Sequence, residues 1–338
     1  MRVIAASTPV NLERELDRLN RTWRTSGATV PRFAYQAPPD HATLRATLAS
    51  AACELAREGE LGEIYAAKAR ELELDAEICE AAGTPTLWQA ARRRYARRDT
   101  FDATADATAD AWLTEPVHHD APAPGEVPHV RSDDELSPAS LVSRLAQEIG
   151  RRRLPLRVVI KDNLASLAAT GDGVVQVVAG RMITLRDVER TVLHEIVGHV
   201  EPTVRAATAR LGIFAVGTAR GSDDQEGRAL AIERAAGFLD VGRRREIALR
   251  HVAARTLEAR ADFVDTARAL LDRGAPIDAA LRIAARAQRG GGLGREVVYL
   301  PALLRVEAAV SADASIDRVL ASGRVAVDAA PALRPFAP

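Results

Sequence analysis

Apolar residues recur at helical spacing along most of this chain, and two short β-rich runs interrupt them. Before residue 113 the pattern predicts helices over Asn11–Thr22, Ala42–Arg57, Leu61–Ala82 and Thr86–Arg98. Runs rich in β-branched residues predict strands at Leu156–Ile160 and Val174–Ala179. Further helices are predicted over Leu185–Thr203, over Asp224–Leu239 and from there to the end. The pattern therefore predicts an α+β chain that is mostly helical and has a small sheet.

Proline divides the sequence into regions. Prolines cluster between residues 114 and 138, at Pro116, Pro122, Pro124, Pro128 and Pro138. We therefore predict an N-terminal helical region over residues 1–113, a proline-rich linker or loop over 114–138, and a core over 139–338 that carries the chemistry.

Composition excludes several classes of protein. Lys plus Arg and Asp plus Glu both number 46, and a net charge near zero argues against a broad nucleic-acid surface. The first apolar run is too short for a signal peptide, and no run approaches a membrane span. Cys53 and Cys79 are too few for a disulfide framework. We expect a cytoplasmic protein, bacterial by its alanine and arginine usage, without nucleic-acid or membrane partners.

The most informative stretch is His194-Glu195-Ile196-Val197-Gly198-His199. Two imidazoles this close favour zinc, which takes nitrogen ligands in tetrahedral geometry. A carboxylate beside the first histidine is placed to take a proton from water that the metal activates. The pattern indicates a hydrolase of amide bonds, although two histidines near a glutamate also occur at a solvated helix end.

The spacing differs from the usual zinc-protease pattern. In H-E-x-x-H the histidines are four residues apart and share a helix face, whereas His194 and His199 are five apart. In a regular helix, five steps turn the second imidazole about 140° away. A shared metal therefore requires a local π-bulge, and Gly198 is the residue expected to tolerate the distortion at least cost.

A third ligand is predicted downstream. Glu226 is expected near the start of the helix Asp224–Leu239, with Ser222 or Asp223 as its N-cap. From there Glu226 would reach a metal, although an acidic residue in a first turn also suits the helix dipole. Glu233 lies two turns further on the same face, where it would either face solvent or accept a hydrogen bond from a ligand imidazole.

At these residues the chain resembles the tyrosine/phenylalanine carboxypeptidase family, whose bacterial members carry the QEGLC motif and an older flavohaemoglobin expression-modulating label. Tubulin-tyrosine carboxypeptidases are animal members. The family pattern is H-E-I-G-T-H, a phenylalanine, a glycine and Q/E-E-G-L. Here Phe214 follows His199 by 15 residues, and Glu226 follows Phe214 by 12. A second block, residues 289–300, is similar to the family's R-G-G, T-K-D and Y-L.

The resemblance implies a gluzincin-like metallopeptidase core, with its sheet beside the zinc helix, that removes one C-terminal residue from a peptide or protein tail. It implies Zn²⁺ on His194, His199 and Glu226, with Glu195 as general base. By family position Arg289 and Arg295 would bind the terminal carboxylate, with Arg205 a further candidate. Tyr299 would stabilise the oxyanion or fill the core. The implied residues are His194, Glu195, His199, Arg205, Glu226, Arg289, Arg295 and Tyr299.

The peptide itself is expected to bind along a sheet edge. Zinc peptidases often pair their substrate with an exposed strand beside the zinc helix. Residues 173–180 are the best candidate, and the alternative is an ordinary sheet edge.

Departures from the family leave the substrate open. Val197-Gly198, Arg205-Ala206, Ala209-Arg210 and Gly294-Arg295-Glu296 replace family residues. The residue removed is therefore expected to be bulky but not necessarily tyrosine, and the tail can be that of a natural-product precursor. Two alternatives remain: a dipeptidyl peptidase or endopeptidase of the H-E-x-x-G-H type, and a non-catalytic regulatory protein stabilised by zinc. A fourth protein ligand, with His251 as the remaining core histidine, would favour the latter.

Overall fold

The structure is a computed structural model that describes residues 3–95, 101–116, 128–171 and 173–338. Residues 117–127 of the predicted linker, and residues 96–98 at the end of the predicted helix Thr86–Arg98, lie outside the described residues.

Helices make up most of the described chain. In chain order the α-helices are α1 (Val3–Ser7), α2 (Leu12–Thr25), α3 (Ala42–Leu55), α4 (Gly59–Ala81), α5 (Leu87–Tyr95), α6 (Phe101–Thr114), α7 (Leu141–Arg151), α8 (Leu185–Leu193), α9 (Glu201–Ala206), α10 (Ile213–Val216), α11 (Gly221–Ala235), α12 (Val241–Thr256), α13 (Phe263–Leu271), α14 (Ile277–Ala287), α15 (Arg289–Gly292), α16 (Tyr299–Ala312), α17 (Ser315–Leu320) and α18 (Ala330–Leu333). A π-helical segment, His194–Val200, lies between α8 and α9.

The strands form two small sheets, so the predicted α+β class with a helical majority is confirmed. The strands are β1 (His129–Arg131), β2 (Arg157–Lys161), β3 (Ala168–Gly171), β4 (Val174–Val178) and β5 (Met182–Thr184). One sheet pairs β1 with β5 antiparallel. The other has the order β2-β4-β3, with β2 parallel and β3 antiparallel to β4.

Two predicted strands are present as β2 and β4, but the expectation of an exposed edge at residues 173–180 is wrong. β4 is the central strand of its sheet and pairs on both sides. β3 is an edge instead. Its sequence, Ala-Ala-Thr-Gly, carries little of the β-branched signal from which a strand is predicted, so the sequence does not reveal that β4 is covered.

The chain divides into two compact units that do not follow sequence order. Unit 1 comprises residues 1–114 and 244–301, and unit 2 comprises residues 115–243 and 302–338. The first division falls where the proline-rich segment was predicted to begin. The two later divisions, at residues 243 and 301, lie within the predicted core. They could not be predicted, because a helical pattern in the sequence does not show with which earlier segment a later helix packs.

Unit 2 has a core between helices and the three-stranded sheet. The helix α7 begins at Ser140, whose side chain accepts a hydrogen bond from the Ser143 amide. Its apolar face packs with the inward side chains of β3 and β4 and with the apolar face of α8 and the π segment; this cluster includes Leu141, Leu145, Ile149, Val175, Val177, Val188, Val192, Ile196 and Val200. The sheet thus supports the segment that carries both histidines.

The regular secondary structure in the described residues of unit 1 is all helical. The longest helix, α4, packs against α3 and α5, and an alanine-rich cluster around Ile78 and Leu87 joins α4 to α5 and to Leu293. In the described residues of either unit, no helix is both long enough and apolar enough to cross a membrane.

Candidate metal centre

The predicted π-bulge is confirmed at the histidine motif. Thr184 and Asp187 form a reciprocal capping box that starts α8. The helix changes to π geometry over His194–Val200 and returns to α geometry at Glu201. Hydrogen bonds in a π turn run from residue i to i+5, so residues five apart lie one above the other. The rings of His194 and His199 are accordingly 4.9 Å apart between centroids.

Gly198 serves close packing rather than backbone distortion. Its φ is not among the positive values of the chain, so another residue is able to adopt its conformation. A Cβ at this position, however, would lie 2.7 Å from the Cβ of Ala229 on α11. Glycine is therefore required because α11, which carries Glu226, approaches the π segment closely.

Three ligand atoms converge between the π segment and α11. The Nε2 atoms of His194 and His199 are 3.1 Å apart. Glu226 Oε2 lies 3.6 Å from the first and 3.8 Å from the second. Within the described residues, these three side chains are the group of His, Cys, Asp and Glu that is close enough to share a metal ion.

The opposite nitrogen of each imidazole is held by α11 as well. The His194 Nδ1–H donates to Glu233 Oε1 at 2.7 Å, and the His199 Nδ1–H donates to Gln225 Oε1 at 3.0 Å. Glu233 is fully buried and also accepts two hydrogen bonds from Arg243, at 2.9 and 3.0 Å. A carboxylate and an amide oxygen can only accept a hydrogen bond, so the nitrogen that faces each of them carries the proton. Both imidazoles therefore have their Nε2 lone pairs directed at the point where Glu226 also lies.

The electrostatics of this point favour a cation. Burial by itself lowers the pKa of His194, but Glu226 and Glu233 outweigh it and raise the pKa to about 10. Burial likewise raises the pKa of Glu233, but His194 and Arg243 outweigh it and lower the pKa to about 2. The surroundings thus stabilise positive charge at His194, and a metal ion supplies such charge without a proton.

The donor set fits zinc. Ligands about 2.0–2.1 Å from a tetrahedral Zn²⁺ are separated by about 3.3 Å, and the three measured separations of 3.1, 3.6 and 3.8 Å lie on either side of this value. Two nitrogens and one carboxylate oxygen are common zinc ligands, and three protein ligands leave a fourth position open.

Glu195 is buried beside the ligands, and its carboxylate is held by the sheet. It is 5% exposed, and its Oε2 accepts a hydrogen bond of 2.7 Å from the Thr170 hydroxyl. Thr170 lies on the edge strand β3, which contacts the π segment. The hydroxyl therefore sets the direction in which the Glu195 carboxylate points.

The start of α11 differs from its prediction. The helix begins at Gly221, after Arg220 in a left-handed conformation with φ of 60°. Ser222 and Asp223, each predicted as the N-cap, lie inside the first turn, so that assignment is wrong. The cause is an earlier turn: the Gly221 amide donates to the Thr218 carbonyl and Gly221 has no room for a Cβ. Glu226 is consequently one turn further into the helix.

Arg205 lies on α9, the continuation of the π segment. Its Nη2 donates to Glu201 at 3.2 Å and its Nη1 to the carbonyl of Ala321 at 3.3 Å. About half of its side chain is exposed, so its predicted contact with substrate stays a prediction.

The other predicted substrate residues belong to unit 1. Arg289 is 2% exposed and donates to Glu296 at 2.8 Å, and Arg250 donates to the same carboxylate at 2.6 Å. Arg295 donates to the hydroxyl of Tyr299 at 2.9 Å, and the Tyr299 ring is 8% exposed, with the Arg250 guanidinium 4.0 Å from its centre. Their roles in carboxylate binding and oxyanion stabilisation stay predictions.

The ion cluster around Glu296 makes the stability of unit 1 pH-dependent. Burial raises the pKa of Glu296, but Arg250, Arg286 and Arg289 outweigh it and hold the pKa far below its usual value. The stability that Glu296 contributes is thus complete above an unfolded-state pKa of about 4.3 and decreases as pH falls below it. We expect Glu296→Gln to cost about 3–5 kcal/mol at pH 7 and less at pH 3. Urea unfolding at both pH values measures this; an equal loss at both would contradict it.

His251 contacts a different carboxylate and does not join the three candidate ligands. It lies in unit 1, where its Nε2 is 2.8 Å from Asp106 on α6. It is not among the described residues that converge on the candidate metal position.

The sequence analysis did not identify three residues that orient the candidate ligands and Glu195. Gln225 stands beside Glu226 in the family motif, so its place was visible although its contact with His199 was not. Thr170 and Arg243 stand in segments without any motif, and only their contacts with Glu195 and Glu233 reveal them.

Comparison with known protein families identifies the family of the chain. The family model described as microtubule-associated tyrosine carboxypeptidase matches residues 23–337, a span that includes both histidines, Glu195, Glu226 and the glycine-rich block. No curated protein sequence matches the chain significantly. Because the family model matches nearly the whole length, the chain belongs to the microtubule-associated tyrosine carboxypeptidase family.

Proposed function

We propose that this protein is a zinc metallocarboxypeptidase that removes a single C-terminal residue, bulky or aromatic, from a peptide or protein tail. One observation carries the proposal: the Nε2 atoms of two histidines and a Glu226 oxygen converge beside the buried carboxylate of Glu195. Membership of a family named for tyrosine carboxypeptidases supports the exopeptidase direction.

His194, His199 and Glu226 would hold the metal. Zinc, when bound, supplies Lewis-acid chemistry that makes water nucleophilic at neutral pH and polarises a carbonyl. Glu233 and Gln225 keep both Nε2 lone pairs directed inward, because each accepts a hydrogen bond from the opposite ring nitrogen. Arg243 holds Glu233 in its charged form.

Glu195 acts as the general base. Its carboxylate takes the proton of the attacking water and delivers it to the amine that leaves. The Thr170 hydroxyl donates to one carboxylate oxygen, so the other oxygen is the one available for this transfer. Among the described residues three potential ligands converge rather than four. Three protein ligands suit a catalytic site better than a structural one, and this argues for an enzyme over a zinc-stabilised scaffold.

The substrate is a peptide tail with a free carboxylate. Arg289, Arg295 and Arg205 stay candidates for its recognition on the family resemblance. The chain departs from the family at Arg205 and at Gly294-Arg295-Glu296, so we infer that the residue removed need not be tyrosine. Tails of proteins and of natural-product precursors both fit this chemistry.

A peptide screen tests the proposal. Synthetic peptides varied at the last residue, incubated with the zinc-loaded protein, are expected to lose one C-terminal residue, as read by mass spectrometry. Amidation removes the charge that an arginine would bind and should abolish the loss. Cleavage that ignores amidation would indicate an endopeptidase, and release of two N-terminal residues a dipeptidyl peptidase; either would contradict carboxypeptidase action.

A further inference from the structure

Arg324 is the starting observation, because its backbone is fixed against the turn before α11 while its charge has no partner among the described residues. It follows α17 in unit 2. Its carbonyl accepts a hydrogen bond of 2.9 Å from the Thr218 amide, and the Thr218 hydroxyl accepts one of 2.7 Å from the amide of Ala326. A Cβ on Gly221 would lie 1.9 Å from the Arg324 carbonyl oxygen. The backbone is thus clamped against the turn that leads into α11.

The side chain of Arg324 is half-buried along a glycine. Its Cβ and Cδ lie 3.0 and 3.8 Å from where a Cβ of Gly217 would stand, and Gly217 has a φ of 92°. Any side chain at residue 217 would therefore displace the aliphatic part of Arg324. The absence of a side chain at Gly217 therefore leaves the space that this part of Arg324 occupies.

Its guanidinium makes no hydrogen bond, ion pair or ring contact with the residues that the structure describes. Other arginines of unit 2 that are mostly buried have carboxylates: Arg228 has Asp317, Arg243 has Glu233, and Arg305 has Asp224. Burial lowers the pKa of Arg324, and no carboxylate offsets that effect. A partly desolvated cation without a counterion is costly, so an anion from outside the chain would complete it.

The segment that holds Arg324 is attached to both elements of the candidate metal centre. Thr218 is three residues before the start of α11, and Glu226 lies five residues, roughly 7.5 Å, along that helix. On the other side, Arg205 of α9 donates to the carbonyl of Ala321. An anion bound by Arg324 would therefore lie in the same unit as the ligands, close to α11.

We propose that Arg324 is a substrate-binding residue that holds a carboxylate of the peptide tail. A guanidinium offers two parallel N–H donors that match a carboxylate. The carboxylate belongs either to the C-terminus or to an acidic side chain near it; the chemistry is the same for both. The inference rests on the proposed peptidase function and adds to it a residue in unit 2 that recognises charge.

Binding is measured separately from catalysis. Four dansylated pentapeptides share the sequence Gly-Ala-Gly-X-Tyr, where X is Glu or Gln and the C-terminus is free or amidated. Fluorescence anisotropy gives Kd for the full-length, zinc-loaded Glu195→Gln protein, alone and combined with Arg324→Gln. Arg318→Gln is the matched control, because Arg318 is exposed on α17 and also lacks a charged partner among the described residues.

Arg324→Gln is expected to weaken binding by about 10- to 100-fold, the effect of a lost charge-assisted hydrogen-bond pair. The loss should disappear for amidated peptides if the C-terminal carboxylate is bound, and for the Gln peptides if the side chain is bound. The melting temperature should not fall, because the guanidinium has no partner among the residues that the structure describes.

A loss no larger than that of Arg318→Gln, or an equal loss with all four peptides, would overturn the inference. Cleavage of the peptides with a free C-terminus, measured in the protein with Glu195 intact, distinguishes failure of the Arg324 inference from failure of the proposed peptidase function. Normal cleavage with an unaffected Arg324→Gln variant overturns the inference alone, whereas a protein that neither binds nor cleaves any of the peptides contradicts both.

Discussion

Replacement of Glu195 by Gln is expected to leave the zinc content of the protein unchanged and to lower kcat by at least about 100-fold, the scale of a lost general base. Gln has the same shape and still accepts a hydrogen bond from Thr170, which donates to Glu195 at 2.7 Å. It has no basic oxygen with which to take a proton from water. The ligands His194, His199 and Glu226 are not changed, so the metal should remain.

Steady-state turnover of a peptide substrate and elemental analysis of the same sample measure both parts of this prediction. Glu189→Gln is the matched control. Glu189 lies on the preceding helix α8, about half exposed, and pairs with Arg144 at the surface, so its loss should change kcat less than about twofold, as for other exposed ion pairs. Full activity of the Glu195 variant would show that the proton is taken elsewhere.

Removal of a single ligand is expected to have the second large effect. His199→Ala and Glu226→Ala should each reduce zinc from about one ion per chain to a small fraction, because two ligands hold zinc much less tightly than three. Activity should fall in parallel. The measurement is metal content after dialysis against a weak chelator, with His41→Ala as control, because His41 lies at the start of α3 in unit 1.

Retention of zinc by the Glu226 variant would mean that the third ligand is elsewhere. Glu233 was the next candidate from sequence, but its two oxygens already accept hydrogen bonds from His194 and Arg243. Retention through Glu233 would therefore require those contacts to break, and the stability of the protein should then fall as well.

The residue types and spacing of the motif predicted much of the centre. Residues 194 to 199 lie within one helical segment, so the spacing of the histidines alone required a π turn, and the structure has one. The seven-residue separation of Glu226 and Glu233 likewise predicted a common face of one helix. In the structure both carboxylates lie near the ring nitrogens of His194, Glu226 near Nε2 and Glu233 near Nδ1. Such inferences succeed because backbone geometry relates residues that are close in sequence.

Contacts between distant segments could not be predicted in this way. Thr170 is 25 residues from Glu195 and lies on a strand whose sequence is a weak β-former. From the sequence, Gly198 was expected to ease the distortion of the backbone. In the structure a glycine is required there because Ala229 approaches too closely for a side chain. The covered position of β4 depends on β3, and the return of residues 244–301 to unit 1 depends on packing.

The sequence by itself determined the class of fold, the π-helical distortion at the histidines and the set of residues that we propose binds zinc, since each follows from residue identity and local spacing. Only the tertiary structure decided which hydroxyl orients Glu195, which carboxylate and arginine lie behind His194, and that the half-buried Arg324 has no carboxylate partner among the described residues. Those features depend on which surfaces are buried against each other, and burial is a property of the whole packed chain.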